Sequence, residues 1–136
     1  MKLPTDERLI AHAAAAARMA YAPYSGFPVG AAAVTAEGII FTGSNVENAS
    51  YGLTVCAERV AVWTAVAAGC HRIQRIAIVA GGARPAWPCG ACLQVLAEFG
   101  KPDMKILVAT PRNLTRIRTL SLGDLLPHAF RLGPKR

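Results

Sequence analysis

The chain has 136 residues, of which 53% are hydrophobic and 17% charged, and 15 Lys and Arg against 8 Asp and Glu give a net charge of +7. This length and composition predict one domain over residues 1–136 that buries a single core without disulfides. No apolar run approaches the ~20 residues of a membrane span, and the N-terminus lacks the apolar segment of a signal peptide. We therefore expect a cytoplasmic protein that has no membrane partner.

The excess positive charge lies late in the chain. Nucleic-acid-binding surfaces usually interleave basic residues with aromatic ones that stack on bases, whereas Phe130 is the one aromatic residue of this basic region. This favours a solvated basic face and no nucleic-acid partner. The residues that form it are Arg112, Arg116, Arg118, Arg131, Lys135 and Arg136.

The N-terminal half predicts one helix and a β-hairpin. Thr5 is a suitable N-cap for a helix that runs to about Met19 or Ala20. Residues 20–30 contain two prolines and two glycines and predict a loop. The stretch VGAAAVTAEGIIFTG then predicts two strands joined at residues 36–38, and the polar stretch NVENASYGLT predicts a loop.

Helices and strands alternate in the C-terminal half. The segment from Cys56 to about Ala68 predicts a helix that ends at Gly69, and Cys89–Phe99 predicts a second helix that ends at Gly100. Residues 74–80 and 104–110 predict strands, and LGDLLPHAF predicts a short helical turn. The order helix, hairpin, helix, strand, helix, strand indicates an α/β domain with a mixed sheet.

Cys89 and Cys92 in the stretch WPCGACLQ could form a redox dithiol, half of a structural zinc site, or two ligands of a catalytic metal. At i and i+3 they lie on one helix face and can share a metal. Cys56 opens a different helix and could supply a third sulfur. Both positions are helix N-termini, where the dipole stabilises a thiolate over a thiol.

Cys70 is excluded as a fourth ligand by the predicted helix between it and Cys56. That helix separates the two residues by ~20 Å, whereas two sulfurs on one zinc lie no more than ~4.6 Å apart. A three-sulfur site keeps one coordination position open, as catalytic zinc sites do. Glu58, in the first turn after Cys56, is placed to move protons there, although on its own it would be explained by an exposed glutamate that the helix dipole favours.

Cys-x-Glu followed by Pro-Cys-x-x-Cys is the signature of zinc nucleobase deaminases. With GFPVGAA, TGSNVENASYG, TVCAERVA, PCGACLQVLAEFG and LLPHAF, the chain resembles the homotetrameric cytidine deaminase family from about Ala20 to Phe130. The resemblance implies a three-layer α/β/α fold with a mixed five-stranded sheet. It also implies hydrolytic deamination of cytidine and deoxycytidine to uridine and deoxyuridine, with release of ammonia.

The resemblance implies one Zn²⁺ per subunit, bound by Cys56, Cys89 and Cys92. Water adds to C4 of the cytosine ring, and Glu58 carries protons to ring N3 and to the leaving amino group. Arg59 would donate hydrogen bonds to the thiolates and so draw charge from the metal. The family commonly has a second arginine directly after the last cysteine, and this chain has Leu93 there.

The same resemblance implies a binding site for a free nucleoside. Asn45 and Glu47 would hydrogen-bond the ribose hydroxyls, Phe27 would stack on the pyrimidine, and the backbone of Ala57 would read the polar edge of the base. The alternative explanations are loop polarity for Asn45 and Glu47 and core packing for Phe27. Ser44 replaces a cysteine that is often found before NVE and is not a ligand.

Tyr51 and Phe130 would reach into a neighbouring subunit's site, so that the homotetramer shares its sites between chains. Core packing is the alternative explanation for these two aromatic residues. Three other functions stay open at this point: a deaminase of a modified cytidine or of a cytidine-like antibiotic of the blasticidin S type, a structural zinc-binding module, and a thiol–disulfide oxidoreductase that uses Cys89 and Cys92.

Overall fold

The computed structural model describes residues 2–133, in which helices alternate with the strands of one sheet. Lys135 and Arg136 of the predicted basic face lie outside the described residues. The elements in chain order are α1 (Asp6–Ala17), β1 (Gly30–Thr35), β2 (Ile40–Ser44), a 3₁₀ turn (Tyr51–Leu53), α2 (Ala57–Ala67), β3 (Ile73–Val79), α3 (Gly90–Phe99), β4 (Lys105–Thr110), β5 (Asn113–Ser121) and α4 (Leu122–Leu125).

The five strands form a mixed sheet in the order β2-β1-β3-β4-β5, which confirms the predicted fold class. β3 and β4 are parallel, and every other neighbouring pair is antiparallel. Parallel neighbours need a crossover connection, and α3 provides it. The chain therefore returns over one face of the sheet between β3 and β4, and this return places Cys89 and Cys92 on that face.

Helices cover both faces of the sheet, so the fold has the three layers that the resemblance implied. Ala31 and Ala33 of β1 pack in a core cluster with α2 and α3, whereas Ala32 and Val34 pack in a second cluster with α1. Successive strand residues point to opposite faces. This alternation explains why the three central strands β1, β3 and β4 are apolar over most of their length: each buries both of its faces.

The pattern of residues along the chain did not predict β5 as a strand. Its burial is uneven because it lies at the sheet edge, and Leu114 and Ile117 are its two residues that pack against the core cluster around α1. Arg116 and Arg118 are exposed, as a solvated basic face requires. The arginines interrupt the apolar pattern that predicts a strand. Pairing with β4 stabilises β5, and the local sequence does not show this contribution.

The predicted helix boundaries are largely confirmed. The Thr5 side chain accepts a hydrogen bond from the backbone N–H of Arg8, so Thr5 is the N-cap, but α1 ends two to three residues earlier than predicted, at Ala17. Gly69 has a φ of 90° just beyond α2, a conformation that glycine adopts without strain. The length of α2 confirms the separation on which the exclusion of Cys70 depends.

Gly43 lets α2 lie close to β2. A Cβ at this position would lie 2.5 Å from Ala61 N and 2.6 Å from Ala57 O, both backbone atoms of α2. Distances this short are far inside van der Waals contact, so only glycine permits the observed approach. Because Cys56 and Glu58 lie at the N-terminus of α2, this contact helps to set where they stand over the sheet.

Candidate metal centre and active site

Two helix N-termini bring three cysteine thiols together. Cys56 is the N-cap residue of α2, Cys89 is the N-cap residue of α3, and Cys92 lies in the first turn of α3. Their Sγ atoms all lie within 4.8 Å of one another, and the Sγ atoms of Cys89 and Cys92 are 3.5 Å apart. Neither N-cap thiol caps its own helix by a hydrogen bond, and the sulfurs face each other instead.

This donor set fits zinc. Bonds of about 2.3 Å in tetrahedral geometry place two sulfurs about 3.8 Å apart, close to the 3.5 Å between the sulfurs of Cys89 and Cys92. Thiolates are soft ligands, which suits zinc over calcium or magnesium. Cys92 is buried, Cys56 is half-buried and Cys89 is exposed, so the cluster is reachable from one side. Three protein ligands leave the fourth position for water or substrate.

Cys70 lies outside the cluster, as predicted. Among the described residues, the thiols that group as potential metal ligands are Cys56, Cys89 and Cys92. Cys70 follows the C-terminus of α2, where it is half-buried and packs against the core. A third thiol beside the CxxC pair also favours metal binding over a simple redox dithiol.

Hydrogen bonds among the thiols and from a neighbouring guanidinium shift the pKa values of the cysteines. The pKa of Cys56 is lowered from 9.0 to about 5, first by a hydrogen bond from the Cys92 thiol and then by Arg59, whose Nη2 donates to Cys56 Sγ over 3.3 Å. The pKa of Cys92 is raised, because its thiol donates that bond and is buried. Zinc requires its thiolates deprotonated, so binding releases protons from the cluster.

Arg59 contacts the thiols as the sequence predicted. Its pKa is raised, chiefly by the bond to Cys56, so it stays charged. Its Nε–H is buried and has no hydrogen-bond partner among the described residues, so the guanidinium has a spare donor beside the cluster. Leu93 is buried in the core cluster with α2 and the sheet, and therefore adds hydrocarbon where a second cation would stand.

Glu58 is buried beside the cluster, with 6% of its surface exposed. This contradicts the explanation of Glu58 as an exposed first-turn glutamate. Burial raises the pKa of its carboxyl, and the negative charge of Cys56 raises it further. A carboxyl whose protonated and ionised forms are brought closer in energy is suited to accept and return a proton.

Asn45 ties the loop after α1 to the end of β2. Its Oδ1 accepts from Val29 N over 2.8 Å, and its Nδ2 donates to Phe27 O over 2.9 Å. The side chain is buried, so it is more than a polar loop residue. Each of its polar groups keeps one further hydrogen-bonding position. Asn45 therefore holds the backbone on both sides of Pro28, where Phe27 is 43% exposed rather than packed in the core.

Glu47 holds the same loop a few residues nearer the N-terminus. Its carboxylate accepts hydrogen bonds from the backbone N–H groups of Tyr24 and Ser25 and from the Ser25 hydroxyl. These bonds, the hydroxyl first, hold the pKa of Glu47 below its usual value, so it is ionised at neutral pH. Glu47 lines a cavity of about 280 Å³ with Tyr24, Ser25, Tyr51 and Thr54.

A backbone ladder joins these loops to the metal cluster. Val46 pairs with Val55 by hydrogen bonds of 3.0 Å in both directions, and Val55 directly precedes Cys56. On its other side, Val46 pairs with Tyr21 at the start of the loop that carries Phe27. A larger cleft of about 960 Å³ lies at the other end of β3 and β4, and no predicted site residue lines it.

Tyr51 and Phe130 are surface residues of the single chain, so core packing is the wrong explanation for them. Tyr51 is 77% exposed and Phe130 is 69% exposed. The Tyr51 ring meets that of Tyr24 edge to face, with centroids 6.3 Å apart. Phe130 is held by its backbone, through two hydrogen bonds with the Gln94 side chain. Gln94 was not among the predicted site residues, and its one sequence signal was its polarity within an apolar helix.

Ala57 is the first residue of α2 and is fully buried. Its N–H is one of the helix N-terminal groups without an intrahelical partner. That the Ala57 backbone contacts the polar edge of the base stays a prediction.

Comparison with known proteins identifies the family. Residues 3–108 match the model of the cytidine and deoxycytidylate deaminase zinc-binding region. The chain belongs to this family. It is a zinc-dependent deaminase, and its structure has a cluster of three thiols, those of Cys56, Cys89 and Cys92, that is suited to hold the metal.

Relatives match over almost the whole chain. A cytidine deaminase of Halalkalibacterium halodurans is 44% identical over 91% of this chain and 92% of that relative. One of Mycobacterium tuberculosis is 46% identical over 89% of this chain and 86% of that relative. The crystal structure of a Burkholderia pseudomallei cytidine deaminase has a TM-score of 0.88 at 50% identity, covering 93% of this chain and 100% of that one. Among residues 2–133, no helix has the length and apolarity to cross a bilayer.

Proposed function

We propose that the chain hydrolyses cytidine and deoxycytidine to uridine and deoxyuridine and releases ammonia. The observation that carries the proposal is the buried carboxyl of Glu58 beside three thiols at ligand spacing. The cited relatives bear the name cytidine deaminase and match most of this chain, which supports the same substrate here. A purely structural zinc module would gain nothing from a buried acid at its open side.

Zinc bound by Cys56, Cys89 and Cys92 would supply a Lewis acid and lower the pKa of water. Glu58 would accept a proton from the attacking water and deliver it to ring N3. It would then take the proton of the new C4 hydroxyl group and pass it to the amino group, so that C4 becomes a carbonyl and ammonia leaves. Burial raises the pKa of Glu58, which favours proton uptake relative to an exposed glutamate. Arg59 would offset the negative charge of three thiolates, which otherwise weakens the metal as a Lewis acid.

Asn45 and Glu47 would bind the ribose, and Phe27 would stack on the pyrimidine. Support comes from their placement: Asn45 and Glu47 grip the loop that carries Phe27, and each keeps hydrogen-bonding capacity beyond its loop contacts. Glu47 is ionised and lines the 280 Å³ cavity, as an acceptor for sugar hydroxyls should. The N–H of Ala57 would contact the base edge.

The protein would assemble as a homotetramer in the cytoplasm and act in pyrimidine salvage. Large apolar side chains are exposed on the single chain, and burial of each is worth ~1.5–3 kcal/mol. Tyr51 and Phe130 from adjacent subunits would line each nucleoside site, which explains why neither packs in its own core. The substrate would be a free nucleoside and not a nucleic acid. The exposed side chains include those of Met19, Val46, Tyr51, Leu53, Trp63 and Phe130.

The proposal is tested by three measurements on one purified sample. We expect about one zinc per chain by elemental analysis, a tetramer by light scattering, and stoichiometric ammonia release as the absorbance of cytidine changes to that of uridine. Zinc without ammonia release would indicate the structural module. Turnover that does not depend on metal would reject the mechanism.

A further inference from the structure

We propose that Gln94 is a positioning residue that aims Phe130 at the nucleoside site of a neighbouring subunit. The inference rests on the proposed shared site. It adds a residue of α3, two positions after the ligand Cys92, that does not itself contact metal or substrate.

The Gln94 amide pairs with both polar groups of one residue's backbone. Its Nε2 donates to Phe130 O over 2.9 Å, and its Oε1 accepts from Phe130 N over 3.3 Å. An amide side chain is the neutral group that offers a donor and an acceptor side by side. Gln94 thus takes the place that a neighbouring strand would have in a sheet, and it fixes the Phe130 backbone at two points.

The residues on either side of Phe130 are anchored to the same chain. Arg131 Nη1 donates to Ala97 O over 2.9 Å, one turn further along α3. That carbonyl belongs to the last turn of the helix, where carbonyls lack intrahelical partners and favour a cation. Ala129 packs against the main core cluster. Residues 129–131 are therefore held against α3 and the core by the Phe130 backbone and by the side chains of Ala129 and Arg131.

The Phe130 ring itself remains 69% exposed. Two hydrogen bonds between Gln94 and the Phe130 backbone, with a third from the Arg131 side chain to α3, would gain little for the single chain by presenting an unburied aromatic ring. The contacts are explained if their role is to fix the direction in which the ring points. Because α3 also carries Cys89 and Cys92, one rigid helix relates each subunit's own metal ligands to the ring it presents to a neighbour.

Gln94→Met tests this, because methionine has a similar length and no amide. We expect KM for cytidine to rise about tenfold, from the loss of two hydrogen bonds that each contribute roughly 2- to 12-fold, with kcat, zinc content and tetramer unchanged. Gln74→Met is the matched control, since Gln74 is the chain's other glutamine and is exposed on β3. It should leave KM unaltered.

A double-mutant cycle separates positioning from general stabilisation. If Gln94 acts through the ring, Phe130→Ala should raise KM and Gln94→Met should add nothing to it. Additive effects would overturn the inference. An unchanged KM in Phe130→Ala would instead reject the shared site. Amide hydrogen exchange can be measured on the wild-type protein, so it does not depend on a variant that folds. The Phe130 amide should be protected from exchange. Exchange at the rate of an unfolded chain would refute the hydrogen bonding of Gln94 to the Phe130 backbone.

Discussion

Arg59 donates a hydrogen bond from Nη2 to Cys56 Sγ over 3.3 Å, three residues back along the same chain. The helix α2 thus supplies a ligand, the buried acid Glu58 and a cation within its N-cap and first turn. Since Leu93 on α3 is buried hydrocarbon, Arg59 carries the charge compensation for the thiolates that it contacts. The chemistry should therefore be unusually sensitive to this one arginine.

Arg59→Ala should lower kcat by about 10- to 100-fold, because a hydrogen bond to a charged group is worth ~1.5–3 kcal/mol. Steady-state kinetics on zinc-loaded protein measure it, and Arg8→Ala, an exposed arginine of α1, is the control. Leu93→Arg in the Arg59→Ala background should restore part of the rate if the new guanidinium reaches the sulfurs. If both positions prove neutral, the helix N-termini alone tune the metal.

Cys89→Ala should abolish both zinc binding and activity, because the two remaining thiols are fewer than the three protein ligands of a catalytic zinc site. Cys70→Ala is its control and should retain both. Metal analysis alongside the deaminase assay gives the result. X-ray absorption should show three sulfurs and one light atom at the metal, and four sulfurs would show that the assignment of Cys70 is wrong.

Glu58→Gln should keep zinc and lower turnover by about 10²- to 10⁴-fold, the usual loss when acid–base catalysis is removed. The amide has the same shape but cannot accept and return a proton. Metal content and kcat should be measured on the same preparation. Turnover near that of the wild type would assign the proton transfers to another group.

Truncation after Ala129 should raise KM for cytidine by about 10- to 100-fold, as expected when ~1.5–3 kcal/mol of aromatic burial is lost. Zinc content should not change, because the deletion removes pocket wall and no ligand. Kinetics and light scattering should be run together. An intact tetramer with unchanged KM, or a fully active monomer, would place the whole active site in one chain.

Gly43→Ala should lower the free energy of unfolding by about 1–3 kcal/mol or more, since its Cβ would overlap the backbone of α2. We expect Tm to fall by roughly 5 °C or more at equal protein concentration. Gly82→Ala is the control, because nothing lies within 4 Å of its added Cβ. Equal Tm values for the two variants would mean that α2 moves away freely, and zinc affinity would then show whether Cys56 moves with it.

Local sequence determined the helices, the hairpin, the core strands and the placement of Cys89 and Cys92 on one helix face. Caps such as Thr5, the Cys-x-x-Cys spacing and the length of the helix before Cys70 act within one or two elements, so their consequences follow from helix geometry alone. The five-stranded sheet and the remaining site roles came from family resemblance.

Tertiary structure decided the relationships between distant segments. β5 became a strand through its pairing with β4, and Glu58 in the first turn of α2 proved buried. Gln94 and Phe130, 36 residues apart, are joined by hydrogen bonds that no local pattern encodes. The physical reason is common to all three: burial and pairing depend on which surfaces meet, and those surfaces meet only once the sheet has brought distant parts of the chain together.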